Sequence, residues 1–257
     1  MERIRICTLA LLLVQGLQPC YPQGSAGSSG DVEPRFLVDA PIAGMIRRGV
    51  VAFDADFFQQ GGILLGISVG VFDRLTLGVS YGGSNLIGSG EPVLNPVPGV
   101  NIRLRIVEES LLLPALALGF DSQGRDGYIR SLNRYVIKSP GLYGVLSKNY
   151  GVWGFLSIHG GVNYTFERTD EDRDINFYCG IEKTIGPTIS LVLEYNLAAN
   201  DNEEEAVGQG SGYLNAALKW SFGDGLTLSV NLKDLTRNSA VVEGVNRSVR
   251  LEYVKTL

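Results

Sequence analysis

The stretch "LTLGVSYGGS" (75–84) sets Leu75, Leu77, Val79 and Tyr81 on one side of an extended chain and Thr76, Gly78, Ser80 and Gly82 on the other. One face is large and apolar; the other is too small to pack a core. The pattern repeats along the chain. Ile63, Leu65, Ile67, Val69 and Val71 oppose Gly66, Ser68 and Gly70. Val51, Phe53, Ala55 and Phe57 oppose Asp54 and Asp56, and Val100, Ile102, Leu104 and Ile106 oppose Asn101, Arg103 and Arg105. Ile175, Phe177, Cys179 and Ile181 oppose Asn176, Tyr178 and Glu182; Ile189, Leu191, Leu193, Tyr195 and Leu197 oppose Ser190, Glu194 and Asn196. "YLNAALKWSF" and "LTLSVNLK" continue it with Asn215, Lys219, Ser229, Asn231 and Lys233 on the polar side. Alternation of period two over such lengths is the signature of strands that meet different media on their two faces.

The pattern predicts about twelve strands, many of the roughly 9–11 residues that suit a tilted bilayer crossing. Their cores fall at 49–58, 62–72, 75–83, 99–107, 111–120, 140–149, 152–165, 174–183, 188–198, 212–222, 225–234 and 247–256. Short connections at 72–74, 108–110, 149–151, 185–187 and 223–225 alternate with long polar ones at 84–98, 121–139, 166–173, 199–211 and 235–246. Tight periplasmic turns and long external loops are the asymmetry of an outer-membrane barrel, and an even strand count leaves both termini periplasmic.

Alternation alone does not say which way the apolar face points. In a soluble sandwich or small barrel it points inward. Three features favour outward. The apolar faces carry almost no charge. The polar faces are rich in Gly, Ser, Asn and Thr rather than long Lys and Glu side chains. Aromatics sit at matched depths, Phe57, Tyr81, Phe120, Tyr164 and Tyr195 at the external ends and Trp220, Phe222 and Tyr253 at the periplasmic ends, as the two girdles of a membrane barrel require. The fold expected is all-β, a transmembrane antiparallel up-and-down β-barrel spanning 49–257.

Export fits this reading. "MERIR" and "ICTLALLLVQGLQ" form the charged and apolar parts of a secretory signal, with cleavage expected after Ala26. Cys20 raises a lipoprotein alternative, but Pro19 stands where a lipobox needs a small residue. Beyond the signal only Cys179 remains, so no internal disulfide can staple the chain. The net charge of -5 argues against a nucleic-acid partner. Residues 27–48 form a periplasmic leader or lumen segment: "SSGDVEP" reads as flexible, while "FLVDAPIAGMIRRG" is apolar enough to be ordered in or under the lumen. The expected partners are outer-membrane lipid and, through the alternating C-terminal "SVRLEYVKTL", the barrel-assembly machinery; Leu257 replaces the usual terminal aromatic.

"PALALGFDSQG" (114–124) and "GVLSKNYG" (144–151), followed by a Gly-rich strand, resemble segments of YjbH-type outer-membrane proteins, and "DAPIAGMIRRG" (39–49) and "VFDRLTLGVSYGGSNLIG" (71–88) resemble the openings of similar uncharacterised barrels. That resemblance implies a barrel linked to exopolysaccharide production in a Gram-negative bacterium, with a polysaccharide as partner.

The candidate functional residues are those of the polar face: Asp54, Asp56, Arg103, Arg105, His159, Glu182, Glu194, Lys219, Lys233, Arg250 and Glu252. Strand neighbours put Glu194 beside Lys219, and barrel closure puts Asp54 and Asp56 near Arg250. Such balanced charge serves a conduit for a hydrophilic solute or a salt-bridged interior that fills a structural, surface-anchoring barrel. In "SIHG", Ser157 and His159 stand two apart as in outer-membrane phospholipases, but both lie on the polar face and in reversed order, which disfavours a lipid-modifying enzyme. "RTDEDRD" (168–174) and "NDNEEE" (200–205) could offer hard oxygen ligands to Ca²⁺ or Mg²⁺, yet lack the spacing of a defined calcium loop and read as solvated charge. No cofactor and no catalytic residue is expected.

Overall fold

A computed structural model describes residues 18–19, 33–204 and 206–257. The signal sequence and residues 27–32 lie outside the described residues, apart from Gln18–Pro19, whose backbone pairs with Tyr150 and Gly151.

Twelve strands form the wall: β1 (Val50–Phe58), β2 (Gly62–Phe72), β3 (Leu75–Ser84), β4 (Gly99–Val107), β5 (Ala115–Asp121), β6 (Gly141–Gly151), β7 (Phe155–Tyr164), β8 (Asn176–Ile185), β9 (Ile189–Asn196), β10 (Tyr213–Gly223), β11 (Leu226–Lys233) and β12 (Asn246–Thr256). Each pairs antiparallel with the next, and β12 pairs with β1 from Val249↔Phe57 to Thr256↔Val50, which closes the cylinder. Closure leaves no free sheet edge. The expected fold class is the observed one.

Burial is inverted relative to a soluble protein. Along β3, Thr76 and Gly78 are buried while Leu77, Val79 and Tyr81 are exposed. Along β9, Ser190, Val192 and Glu194 are buried while Leu191, Leu193 and Tyr195 are exposed. The apolar face therefore points outward on all sides, where only lipid can cover it. Phe120 and Tyr164 at the long-loop end gather around Phe166, with centroids 6.0 and 6.3 Å away. Trp220 stacks on Phe222 at 4.4 Å near the short-turn end.

The connections before and after β5 depart from the sequence expectation. The fifth strand begins at Ala115 rather than near 111. Pro114 has no N–H to give a ladder, and the connection from β4 therefore runs through 108–114. At the opposite end, β1 and β2 are joined by three residues, as the strand cores 49–58 and 62–72 implied, in a tight hairpin turn with Gln60 and Gly61 at φ 62 and 59. The connection after β5 contains its own hairpin, Arg125–Ile129 paired with Arg134–Ile137, where the sequence showed only polar loop.

Candidate functional site: a plugged polar lumen

Residues 33–48 enter the barrel from the short-turn end, turn at 37–40 and return to β1. The two arms touch where Ile42 N donates to Arg35 O at 3.0 Å and Leu37 N to Ala40 O at 2.9 Å. Gly44 is required at the crossing, because a β-carbon there would lie 1.7 Å from Pro34 O. Gly70 plays the same part at the exit: its β-carbon would fall 2.0 Å from Arg47 O.

The hairpin is seated by both kinds of lumen residue. Leu37, Val38 and Ile42 pack on Val192 and Ala217. Ala40 and Ala43 pack with Ala115, Ala117, Tyr143, Val145 and Tyr178, and Ile46 packs on Ala52 and Val254. The lumen thus has apolar patches inside a polar wall. Burying a Leu, Ile or Val of this kind stabilises the seated state by about 1.5–3 kcal/mol each.

Because the hairpin is not a strand of the sheet, many of its backbone polar groups need side-chain partners. Glu194 Oε2 accepts N–H bonds from Val38, Asp39 and Ala40 at 2.9, 2.9 and 2.8 Å, while its Oε1 accepts from Asn215 at 2.7 Å. Three consecutive amides converging on one oxygen form an anion nest. Arg103 donates to Arg35 O and Gly44 O, both at 2.9 Å, and to the Tyr143 hydroxyl at 2.9 Å. Arg105 binds Ala43 O at 3.1 Å and pairs with Glu33 and Glu108. Lys219 donates to Phe36 O at 3.0 Å, Tyr178 to Pro41 O at 2.9 Å, and Arg250 to Val38 O at 2.8 Å.

The remaining ionic contacts complete the seat. Arg35 lies 2.6 Å from Asp54 and 3.0 Å from Glu252. Arg250 pairs with Asp56 at 2.8 Å; Lys233 reaches Asp39 at 2.8 Å and Asp126 of the loop hairpin at 2.9 Å. Lys219 pairs with Glu182 at 3.0 Å. The expected Glu194–Lys219 neighbourhood is not formed. The register sets Glu194 opposite Asn215 and Ser190 opposite Lys219, a displacement of four residues along the strand. Closure does bring Asp54 and Asp56 to the neighbourhood of Arg250: Asp56 pairs with it, and Asp54, one register step along the seam, is held by the hairpin's Arg35. His159 is buried, with Nδ1 2.8 Å from Ser147 Oγ, and Ser157 bonds instead to Asn149.

Beside the hairpin the wall is thin. A narrow cleft runs along Gly66, Ser68, Gly78 and Ser80, and Arg35 reaches across it to donate to Ser68 Oγ at 3.2 Å. Four guanidinium groups, of Arg35, Arg103, Arg125 and Arg250, lie 6.0, 5.1, 4.7 and 5.7 Å from the Phe36 ring centroid. Arg125 also lines a second cleft, which Asp39, Asn176, Tyr178 and Asp201 border toward the long loops.

The long loops are bound together above it. Arg134 bridges Asp170 at 2.6 Å and Asp201 at 2.5 Å, and Lys138 reaches Asp170 at 2.7 Å, all four side chains being buried. Burial works to raise the Asp201 carboxyl, but the hydrogen bond and charge of Arg134 overcome it and hold the group below its ordinary value. Burial lifts the Glu167 carboxyl and pushes the Tyr135 phenol up to about 12. Asp170 and Asp201 come from the two acidic runs, so in part these runs are structural ion pairs. No group of acidic, His or Cys residues that could hold a metal is present among the described residues. Sequence reasoning passed over Arg35, Asp39, Arg125, Asp126 and Arg134. Arg35 and Asp39 flank the apolar run "FLV", and that juxtaposition was the available signal.

No family model and no curated protein matches the chain. The solved structures similar to it include a KdgM porin (TM-score 0.46, 13% identity, covering 81% of this chain and 99% of that one). A KdgM porin in complex with disordered oligogalacturonate gives TM-score 0.48 and 13% identity over 79% and 98% of the two chains. A NanC porin gives 0.45 and 8% over 80% and 99%. The YjbH resemblance is thereby corrected: no such family model matches, and the similar structures are of other barrels. The motifs that carried it, 114–124 and 144–151, fall largely on β5 and β6, adjacent strands whose alternation and flanking glycines are demands of any barrel wall. The barrel itself rests on the strand register and the inverted burial.

Proposed function

We propose that the chain is an outer-membrane conduit for hydrophilic solutes, held closed here by its own N-terminal hairpin. The observation that carries this reading is the pairing of a seated plug with a small-residue cleft in the wall beside it. Side chains along the lumen satisfy the hairpin's backbone, while the wall beside it carries only small residues, Gly66, Ser68, Gly78 and Ser80, along a polar cleft. A barrel of twelve strands lies between the ~8-stranded barrels that side chains fill and the ~16-stranded porins that hold an aqueous channel. Withdrawal of a lumen segment is therefore a sufficient way to open it. The outward apolar face supports outer-membrane lipid as the surrounding medium, and the alternating β12 supports recognition by the barrel-assembly machinery. Exopolysaccharide export rested on the YjbH resemblance alone and is no part of this reading.

A reversible lock tests it. Ala43 N lies 3.0 Å from Ser147 Oγ, so Ala43→Cys with Ser147→Cys can tie the hairpin to β6. In planar bilayers the oxidised protein should stay closed, and reduction should restore openings to the level of the parent chain. Absence of openings in the parent chain, the reduced variant and a variant with the hairpin deleted would favour a structural barrel with a filled lumen.

A further inference from the structure

Two turns at the short-turn end carry the two most exposed large apolar side chains of the described residues, Trp153 and Leu112. In the β4–β5 connection Leu111, Leu112 and Leu113 are 62%, 91% and 57% exposed; in the β6–β7 turn Trp153 is 97% exposed. Neither turn hangs free below the barrel. Each is tied to a lysine on the outward face of a strand beyond its own hairpin.

Lys148 lies on β6 in the outward series of Leu142 and Leu146. Its ammonium donates to Ser110 O, Leu111 O and Leu113 O and lies 3.7 Å from Glu109. The turn thus lies over the outer surface of β6, and the Lys148 side chain is left only 13% exposed. Lys183 stands in the outward series of Phe177 and Ile181 on β8. Its ammonium donates to Trp153 O at 2.8 Å and Thr184 O at 2.9 Å. In both places a turn leans sideways across the next strand, carbonyls cap a cation that would otherwise face lipid, and apolar side chains take the outermost position.

We propose that these two turns form an anchor embedded in the membrane leaflet at the short-turn end, with lipid at the headgroup–acyl boundary as its partner. The lysines that hold the turns stand on the outward face, two positions from the lipid-facing Leu146 and Ile181, so the turns lie at the edge of the lipid-facing surface. Exposed Trp and Leu side chains with capped lysine ammoniums at that level suit the headgroup–acyl boundary. The anchor is one-sided: it belongs to the β4–β8 side of the barrel.

The chain has two tryptophans, so Trp220→Phe leaves Trp153 as the only indole in the mature barrel. In vesicles, Trp153 emission should be blue-shifted relative to free tryptophan. It should be quenched more by phospholipid brominated near the glycerol end of the acyl chain than by phospholipid brominated near the methyl end, and be protected at least several-fold from acrylamide. As a second measurement, a spin label on Leu112→Cys, with the other cysteines replaced by serine, should be more accessible to oxygen than to a water-soluble nickel chelate. Free quenching of Trp153 by acrylamide with no effect of brominated lipid, or a label at 112 that favours nickel, would overturn the anchor and leave the patch facing the periplasm.

Discussion

The carboxylate of Glu194 and the amide of Val38 meet at 2.9 Å although 156 positions separate them in the chain. With Asp39 and Ala40 bound to the same oxygen, this contact fixes the tip of the hairpin in mid-lumen. Glu194→Ala should leave three buried N–H groups without their acceptor. Hydrogen bonds to a charged group contribute about 1.5–3 kcal/mol, so amide exchange at 38–40 should speed up by roughly tenfold or more at about 1.4 kcal/mol per decade. Unchanged exchange there would mean that the apolar contacts alone hold the tip.

Adjacent positions on β9 face different media. Leu193→Arg should impair assembly far more than Glu194→Gln, since the first places a cation on the lipid face at a cost of about 2–4 kcal/mol near the midplane. Refolding yield into vesicles, followed by heat-modifiable gel mobility, compares the two. Equal yields would contradict the assignment of faces.

Cysteine labelling of intact cells checks orientation. Positions 202 and 73 are both exposed, at opposite ends of the barrel, so a membrane-impermeant thiol reagent should react at Asn202→Cys and spare Asp73→Cys. Asp170 is an unsuitable probe because it is buried against Arg134 and Lys138. Reaction at 73 alone would invert the molecule.

The loop ion pairs give a pH dependence. The Asp201 carboxyl is depressed in the folded state. Its contribution is fully present above its unfolded pKa of about 3.9 and is lost as pH falls through the lower folded value. Glu167 is raised by burial and has the opposite sign, favouring the fold most when protonated and losing that contribution as pH rises through its folded value. Hydrogen exchange of the loop amides, corrected for intrinsic rates, should therefore show loosening around Asp201 below about pH 4, and Asp201→Asn should remove that acid step. An acid step of the same size in the variant would assign it to other carboxylates.

The wall was readable from sequence because a membrane barrel obeys one local rule: what touches lipid and what touches the lumen alternate residue by residue. Leu193 and Glu194 declare their faces without knowledge of any partner. What could not be read is whatever depends on a third body inside the ring. Lys219 was placed beside Glu194 by strand order, but only the register shows that it stands level with Ser190 and reaches Glu182. Glu194 looks like a solvated lumen acid until the hairpin brings three amides to it. Arg134 sat in a stretch with no periodicity, and its partners Asp170 and Asp201 come from two other loops. The length of 108–114 was hidden because Leu111–Leu113 continue the apolar character of β5 past Pro114, where strand pairing stops.

Arg250 gives the barrel's closure an unexpected order. It stands on β12, the last strand of the chain, and one guanidinium grips Asp56 on β1 and the carbonyl of Val38 in the hairpin. β1 follows the hairpin directly in sequence, and β12 is the strand that seals β1. Stitching the seam and seating the segment inside it are therefore joined through a single side chain. A cylinder sealed without its occupant would lack one of the clasps on its own seam, so the last strand to arrive also registers whether the interior is already furnished.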